Sequence, residues 1–297
     1  MRIKEIFLLF FLLLLSNLFS YDFQSLYKQV KSISDEVFYI HSFDGTKLAY
    51  RIAEPKETKY VLIFIHGISL YGRYYYPFLK ELSDYGIKVY FLDLRGHGNS
   101  EGRRGDSPEE KTFVKDLLLF YNFVKEENKD IPVYLAGHSM GAGLILKLVY
   151  HENLKPQGLI LISGGLPVEK IHQNNDLLRI KPISKLFSFI AYIFPHFRII
   201  GWDLPEEIDD SLIVNNYSYM FFRSAFPSNI KEIWEKLDLP ILSIVGNKDE
   251  FYPSEEVLKV YEVYKRTKRK FILLKDSNHI DVIIKSPLYI KEWILGG

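Results

Sequence analysis

Short apolar runs alternate with amphipathic stretches along most of the chain. The run "YVLIFIHG", from Tyr60 to Gly67, is apolar at nearly every position and ends in glycine. Such a run is typical of a strand buried on both faces of a parallel sheet. Strand and helix patterns in alternation predict an α/β fold with a mostly parallel sheet and helices on both faces. Further runs of the same kind are "IKVYFLDLRG", "IPVYLAGHS", "GLILISGG", "LPILSIVGNKD" and "KFILLKDSNH".

Local signals predict three further elements. Residues 36–55 alternate between apolar and polar positions around Asp44-Gly45, which indicates a β-hairpin. A polar helix is expected from about Phe23 to Ser34. The stretch "SPEEKTFVKDLLLFYNFVKEE" predicts another helix, with Ser107 as its N-cap and Pro108 in its first turn.

One long interval, from about Gly164 to Lys236, contains no clear strand pattern. It is rich in apolar and aromatic residues and is too long for a structureless loop inside a compact domain. We interpret residues 164–236 as a helical cap inserted into a core formed by residues 21–163 and 237–297. These residues are called the cap segment below.

The N-terminus has the pattern of an export signal. Arg2 and Lys4 precede an unbroken apolar run from Ile6 to Leu15, and a small residue, Ser20, follows. The run is shorter than the roughly 20 residues that a membrane span requires. Residues 1–20 are therefore expected to be a signal peptide or an uncleaved N-terminal membrane anchor. The protein would accordingly be exported, periplasmic or secreted, or attached to a membrane.

Composition and charge exclude several classes of protein. Hydrophobic residues make up 47% of the 297 positions and charged residues 25%, which suits a globular chain with a sizeable core. The net charge of +1 and the lack of a basic stripe argue against nucleic acid as a partner. The chain has no cysteine, so disulfides and thiol-linked lipids are excluded.

A candidate nucleophile lies in the stretch "LAGHSMGAG". Ser139 stands between Gly137 and Gly141, after the apolar run "IPVYLA" and before a helical pattern. A strand–turn–helix elbow requires this order, and its crowding requires the glycines. At the first turn of a helix, free N–H groups could stabilise developing negative charge near Ser139.

A serine hydroxyl needs a base, and the base needs a carboxylate that orients it. His279 follows the last apolar run, and Asp249 follows the run "LPILSIVG", with Glu250 as the alternative acid. Asp276 and Asp281 lie too close to His279 in sequence to reach the far nitrogen of its ring easily.

The other histidines are less suitable as the base. His138 is expected to point away from the turn, and His66 and His97 are expected to brace glycine-rich loops. No H-x-x-x-H or similar metal spacing is present, so we do not expect a zinc site, and we assign no other metal and no cofactor.

Two backbone N–H groups are expected to form an oxyanion hole. One belongs to Met140, directly after the candidate nucleophile. The other belongs to the loop after "YVLIFIHG" and is assigned to Ile68.

Three blocks carry a resemblance to a known group of enzymes. They are residues 64–105, which include "HG…GRY" and "D-x-RGHG-x-S-x-G", the elbow "LAGHSMGAG", and the pair "VGNKDEFYP" and "DSNHID". The chain resembles α/β-hydrolases of the monoacylglycerol lipase and lysophospholipase group, also grouped with serine aminopeptidase S33-like hydrolases. The resemblance implies an eight-stranded α/β-hydrolase fold. It also implies Ser139 as nucleophile, Asp249 as acid, His279 as base, and Ile68 and Met140 at the oxyanion hole.

The expected function is hydrolysis of carboxylic esters through an acyl-enzyme. The aromatic cap segment favours a monoacylglycerol or a lysophospholipid as substrate, which allows peripheral or anchored membrane association. Short-chain esters, thioesters and acyl transfer stay open, because the same chemistry serves each of them. A catalytically inactive, envelope-associated binding protein is the alternative outside enzymes.

Overall fold

The computed structural model describes residues 20–169, 193–201, 204, 206 and 208–296. Within them an eight-stranded, mostly parallel sheet is flanked by helices, as the sequence predicts. The predicted signal peptide or anchor, residues 1–20, lies outside the described residues except for Ser20, which begins the first helix. None of the described helices is both long enough and apolar enough to cross a membrane.

The strands of the main sheet follow the order β1-β2-β4-β3-β5-β6-β9-β10. The pairs β1–β2 and β2–β4 are antiparallel, and every other neighbouring pair is parallel. Because the parallel strands share a direction, their carboxyl ends meet at one edge. The strands are β1 (Phe38–His41), β2 (Lys47–Ala53), β3 (Tyr60–Ile65), β4 (Ile87–Leu92), β5 (Val133–His138), β6 (Gly158–Ile162), β9 (Ile241–Gly246) and β10 (Arg269–Leu274).

Helices and short 3₁₀ turns connect the strands. The 3₁₀ turns are Gly72–Tyr74 and Lys80–Tyr85. The α-helices are α1 (Ser20–Val30), α2 (Tyr76–Leu79), α3 (Thr112–Glu127), α4 (Met140–His151), α5 (Tyr219–Ala225), α6 (Ile230–Lys236), α7 (Ser254–Val263) and α8 (Asp281–Leu295).

The core lies on both faces of the central strands. All residues of β5, β6 and β9 are buried, whereas the edge strand β1 alternates between half-buried and exposed positions. This contrast follows from helices covering both faces of a parallel sheet while an antiparallel edge faces water on one side.

The predicted hairpin is confirmed, whereas one helix begins later than expected. Strands β1 and β2 pair around Asp44-Gly45, and Gly45 adopts a left-handed φ of 83°. Helix α3 begins at Thr112 with Lys111 at its N-cap position, and the Ser107 hydroxyl, predicted to cap it, instead donates to the Glu109 carbonyl at 2.9 Å.

The cap segment contains a two-stranded ribbon that the sequence pattern did not indicate. Strand β7 (Arg198–Gly201) pairs antiparallel with β8 (Asn216–Ser218), and helices α5 and α6 follow. Lys147 joins helix α4 to this segment, since its Nζ donates to the carbonyls of Arg223 at 2.8 Å and Ser224 at 2.9 Å. Burial lowers the pKa of Lys147 to about 8.

The turn between β5 and α4 is packed backbone against backbone. A Cβ atom on Gly137 would lie 2.4 Å from the Gly141 carbonyl carbon, and one on Gly141 would lie 2.3 Å from the Ile65 oxygen. Both separations are shorter than any real contact, and backbone atoms cannot rotate away. The two glycines are therefore required by the approach of α4 to β3 and β5.

Gly141→Ala should consequently destabilise the protein by at least about 3 kcal/mol, at the upper end of the usual cost of overpacking. Gly143→Ala is the matched control in the same helix, because its Cβ would meet only the Pro227 side chain, at 3.2 Å. Alanine there also gains up to about 1 kcal/mol of helix propensity. Urea denaturation measures both, and equal unfolding midpoints would contradict the crowding argument.

Candidate active site

Ser139 occupies a strained turn at the carboxyl edge of the sheet. Its φ of 53° and ψ of −117° are values that non-glycine residues rarely adopt. The turn is held from the next strand, because the Ser139 N–H donates to the Ile162 carbonyl at 2.8 Å. At the end of the same neighbouring strand, a Cβ atom on Gly164 would lie 2.1 Å from the backbone carbonyl oxygen of Ser139. These contacts fix the serine between β5 and α4, as the elbow pattern predicts.

Asp249 and His279, 30 residues apart in sequence, form a buried pair. Nδ1 of His279 lies 3.0 Å from Oδ2 and 3.2 Å from Oδ1 of Asp249. Both residues are buried, and the N–H groups of Phe251 and Tyr252 donate to Asp249 Oδ1 at 2.9 and 3.1 Å. Hydrogen bonds to a carboxylate stabilise its charged form and fix its orientation. The Asp249 carboxylate is therefore placed to hold the His279 ring.

Glu250, the alternative acid from the sequence, has a different contact. Its Oε2 accepts a hydrogen bond from the backbone N–H of His279 at 3.1 Å. Burial raises the pKa of this carboxyl group. The structure thus places Asp249 on the imidazole and Glu250 on the backbone of the same histidine.

The loop after β3 presents three successive N–H groups with different environments. Tyr75 Oη accepts from the Gly67 N–H at 2.9 Å, and Tyr217 Oη accepts from the Ser69 N–H at 2.8 Å. Between them, the Ile68 N–H has no hydrogen-bond partner within the described part of the chain, and neither does the Met140 N–H among those same residues. Two donors are thus available at the positions predicted for an oxyanion hole.

The sequence interpretation expected His138 to point away from the turn at Ser139, whereas the structure places its ring beside His279. Its ring centroid lies 4.7 Å from that of His279, and its Nε2 lies 3.1 Å from the His279 carbonyl oxygen. Its Nδ1 lies 3.0 Å from Tyr75 Oη. His138 is the last residue of β5 and His279 lies 141 positions later, so this contact depends on the tertiary fold and has no signal in the local sequence.

His66 and His97 contact the loops in which they lie, as expected of bracing residues. The Leu94 N–H donates to His66 Nε2 at 3.0 Å, and His66 Nδ1 lies 2.7 Å from the Gly67 oxygen. Burial lowers the pKa of His66 to about 4 and holds that of His97 well below its ordinary value. Both rings are therefore neutral near pH 7. His66 bonds to backbone atoms of the loops after β3 and β4, and His97 Nδ1 lies 3.1 Å from the Arg95 carbonyl oxygen.

A buried carboxylate, Asp93, fixes the far end of the same loop. Its Oδ1 accepts from the Gly72 N–H at 2.7 Å, its Oδ2 accepts from the Asn99 N–H at 2.9 Å, and Arg51 Nη1 lies 2.9 Å from both oxygens. Its charge is compensated by a guanidinium and two N–H groups, as a buried carboxylate requires.

Sequence interpretation missed Tyr75, Tyr217 and Phe251. The Phe251 ring packs edge-on against His279 with centroids 4.7 Å apart. All three are aromatic residues in a chain that is 15% aromatic, so composition does not distinguish them from core residues. In the part of the chain that the structure describes, no three His, Asp or Glu side chains are grouped as a metal site would require.

Comparison with known proteins identifies the family of the chain. The profile of the family described as serine aminopeptidase, S33 matches residues 56–280. Monoglyceride lipase from Rattus norvegicus is 35% identical over 252 residues, which cover 74% of this chain and 79% of that protein. Lysophosphatidylserine lipase ABHD12 from Danio rerio is 26% identical over 70% of this chain and 48% of its own length.

The fold has close counterparts among solved structures. A soluble variant of monoglyceride lipase from Saccharomyces cerevisiae, in complex with a substrate analogue, superposes with a TM-score of 0.68 and 20% identity. The match covers 89% of this chain and 96% of that one. The chain therefore belongs to the serine aminopeptidase S33 family, in its monoacylglycerol lipase-like group of α/β-hydrolases, and is a carboxylic ester hydrolase.

Proposed function

We propose that this protein hydrolyses the ester of a single-chain lipid, a monoacylglycerol or a lysophospholipid, through an acyl-enzyme formed on Ser139. The observation that carries the proposal is the buried Asp249–His279 pair, which lies at the same sheet edge as the strained turn of Ser139. A nucleophile, a base and an orienting acid in this chain order suit acyl transfer on an α/β-hydrolase fold.

In the first half-reaction, Ser139 Oγ attacks the ester carbonyl and His279 Nε2 takes the hydroxyl proton. Asp249 holds the proton on His279 Nδ1 and stabilises the imidazolium that forms. The oxyanion of the tetrahedral intermediate receives hydrogen bonds from the Ile68 and Met140 N–H groups. His279 then protonates the leaving alcohol, and an acyl-Ser139 ester remains.

In the second half-reaction, water takes the place of the alcohol. His279 removes a proton from the water as it attacks the acyl carbonyl, and the same two N–H groups hold the second oxyanion. His279 returns the proton to Ser139 Oγ, and the fatty acid leaves.

The names of the relatives support the substrate class. The rat relative is a monoglyceride lipase and the zebrafish relative a lysophosphatidylserine lipase, so each is named for a lipid that carries one acyl chain on a polar head group. Tyr217 of the cap segment reaches the loop that carries the Ile68 N–H, since its Oη accepts from the Ser69 N–H at 2.8 Å and its ring packs on that of Phe221 with centroids 4.5 Å apart. Both rings are fully buried, so they support this loop from the core.

We also propose that the protein acts outside the cytoplasm or on a membrane surface. The basic and apolar pattern of residues 1–20 supports this placement. Sequencing the N-terminus of the mature protein decides between a cleaved signal and an anchor.

A fluorophosphonate probe should label the wild-type protein on Ser139, because the probe reports a serine activated by an adjacent base. Ser139→Ala should abolish labelling. The control Ser83→Ala, at a half-buried serine whose hydroxyl donates to the Lys80 carbonyl, should label fully. An unlabelled wild type, or a labelled Ser139→Ala variant, would contradict the nucleophile and favour an inactive binding protein.

The two neighbouring acids should differ sharply on amidation. Asp249→Asn should lower kcat by about 10³- to 10⁴-fold, because the amide no longer holds His279 in the required tautomer. Glu250→Gln should stay within about threefold of wild type, because the amide oxygen of the introduced glutamine can still accept from the His279 N–H. Steady-state kinetics on one ester compares them, and a larger loss in Glu250→Gln would reverse the assignment of the acid.

The single-chain lipid proposal predicts a clear dependence on acyl length. Across p-nitrophenyl esters of two to sixteen carbons, kcat/KM should rise by up to about fourfold per buried methylene. Monoacylglycerol and lysophospholipid with the same acyl chain then separate the two head groups. A loss of activity beyond short chains would refute the lipid substrate and leave a short-chain esterase or thioesterase.

A further inference from the structure

The side chains of Tyr75 and His138 link the oxyanion loop to His279 through consecutive hydrogen bonds. The Gly67 N–H donates to Tyr75 Oη at 2.9 Å, Tyr75 Oη lies 3.0 Å from His138 Nδ1, and His138 Nε2 lies 3.1 Å from the His279 oxygen. We propose that Tyr75 and His138 are positioning residues that hold the oxyanion donor of Ile68 and the base His279 in a fixed mutual arrangement. The effect on rate rests on the proposed ester hydrolysis, whereas the arrangement of protons described below does not.

The direction of each hydrogen bond follows from its two ends. A backbone N–H can only donate, so Tyr75 Oη accepts from Gly67 and keeps its own proton for a second bond. The His279 carbonyl oxygen can only accept, so in the bond between it and His138 the proton lies on His138 Nε2. In a neutral imidazole Nδ1 is then bare and accepts the Tyr75 proton. Each donor in this series of three hydrogen bonds therefore has one acceptor, and no donor faces another donor.

Burial keeps water from replacing these bonds. The Tyr75 side chain is 0% exposed and His138 is 2% exposed. The Tyr75 ring also packs on Phe64 with centroids 4.7 Å apart. A Cβ atom on Gly67 would lie 2.9 Å from His138 Nδ1 and 3.3 Å from Ser139 Cβ. The series of hydrogen bonds from Gly67 through Tyr75 and His138 to His279, called the relay below, therefore runs directly beside Ser139.

His279 depends on such contacts because it lies in a loop, before helix α8 begins at Asp281. Four groups hold it. Glu250 accepts its N–H, Asp249 accepts from its Nδ1, and Phe251 packs on its ring. His138 is the only one of these four that contacts both its carbonyl oxygen and its ring. Removing the His138 bond would leave a buried carbonyl unpaired and allow the imidazole to tilt.

The relay also keeps His138 uncharged next to the base. The proposed reaction turns His279 into an imidazolium, and a second positive ring 4.7 Å away would oppose that step. Protonation of His138 at Nδ1 would require Tyr75 to give up its bond there. Burial also lowers the pKa of His138, which likewise favours the neutral ring. His279, and not its neighbour, therefore receives the proton.

Tyr75→Phe tests the relay, and Tyr76→Phe is its control. Tyr76 is adjacent and half-buried, its ring packs on Phe91, and its hydroxyl has no hydrogen bond within the described residues. Tyr75→Phe should lower kcat about ten- to a hundredfold, the cost of misplaced reacting groups, with KM changed far less. Tyr76→Phe should match wild type. Equal kcat values in both variants would overturn the positioning role.

A second pair of variants separates the hydrogen bond from the packing of the ring. His138→Gln retains an amide donor for the His279 oxygen, whereas His138→Leu has a similar volume and no donor. His138→Gln should retain clearly more kcat than His138→Leu. Equal losses in the two variants, at equal urea midpoints, would assign His138 to packing alone.

The proton arrangement is read without any substrate. In ¹⁵N spectra of histidine-labelled protein near pH 7, His138 should appear as a single neutral tautomer with the proton on Nε2. In Tyr75→Phe the proton should stay on Nε2, where the His279 carbonyl accepts it, but the Nδ1 resonance should shift because its hydrogen bond is lost, while Tyr76→Phe should leave both resonances unchanged. A proton on Nδ1 in the wild type would refute the relay even if ester hydrolysis is confirmed. The expected tautomer in a protein inert to esters would refute only the proposed function.

Discussion

The close approach of three backbone segments at Ser139 is the constraint on which the site depends. A residue with φ of 53° turns the chain sharply from β5 into α4, and this turn exists only where neighbouring positions lack side chains. Gly137 and Gly141 permit contact with the helix and with β3, while Gly164 permits contact from the end of β6. Strain at one residue is compatible with a stable fold because the surrounding sheet determines it.

The strained turn positions the serine, and hydrogen-bond saturation defines the rest of the site. Buried N–H groups are nearly always paired, so an unpaired one needs an explanation, such as a water molecule or a ligand atom that it can bind. In the loop after β3, tyrosine hydroxyls satisfy the N–H groups of Gly67 and Ser69, and the Ile68 N–H between them is left available. The same tyrosine that pairs Gly67 also bonds to His138, which in turn contacts His279, so the loop after β3 and His279 share one support.

Sequence reasoning located the residues whose signals are local and missed those whose contacts are distant. Ser139, Asp249 and His279 follow apolar runs, and the topology brings the ends of these strands to one edge. The Tyr75–His138 bond joins residues 63 positions apart, and the His138–His279 bond joins residues 141 apart. No periodicity encodes such pairs. The β7–β8 ribbon was missed because its strands are only three and four residues long, too short to show alternation.

Hydrogen bonds connect the cap segment to the loop after β3, which carries the Ile68 N–H. Tyr217 Oη accepts from the Ser69 N–H and donates to the Val214 carbonyl at 2.9 Å, so one buried hydroxyl belongs to both parts. Displacing Tyr217 would leave the Ser69 N–H unpaired, at a cost of about 1–3 kcal/mol. Asp210 adds a second link, because its Oδ2 accepts from Tyr71 and Tyr74 at 3.0 Å each. A substitution that displaces Tyr217 therefore disturbs the loop that presents the Ile68 N–H. In the reaction proposed above this N–H receives the oxyanion, so the geometry around the oxyanion would depend on Tyr217 of the cap segment.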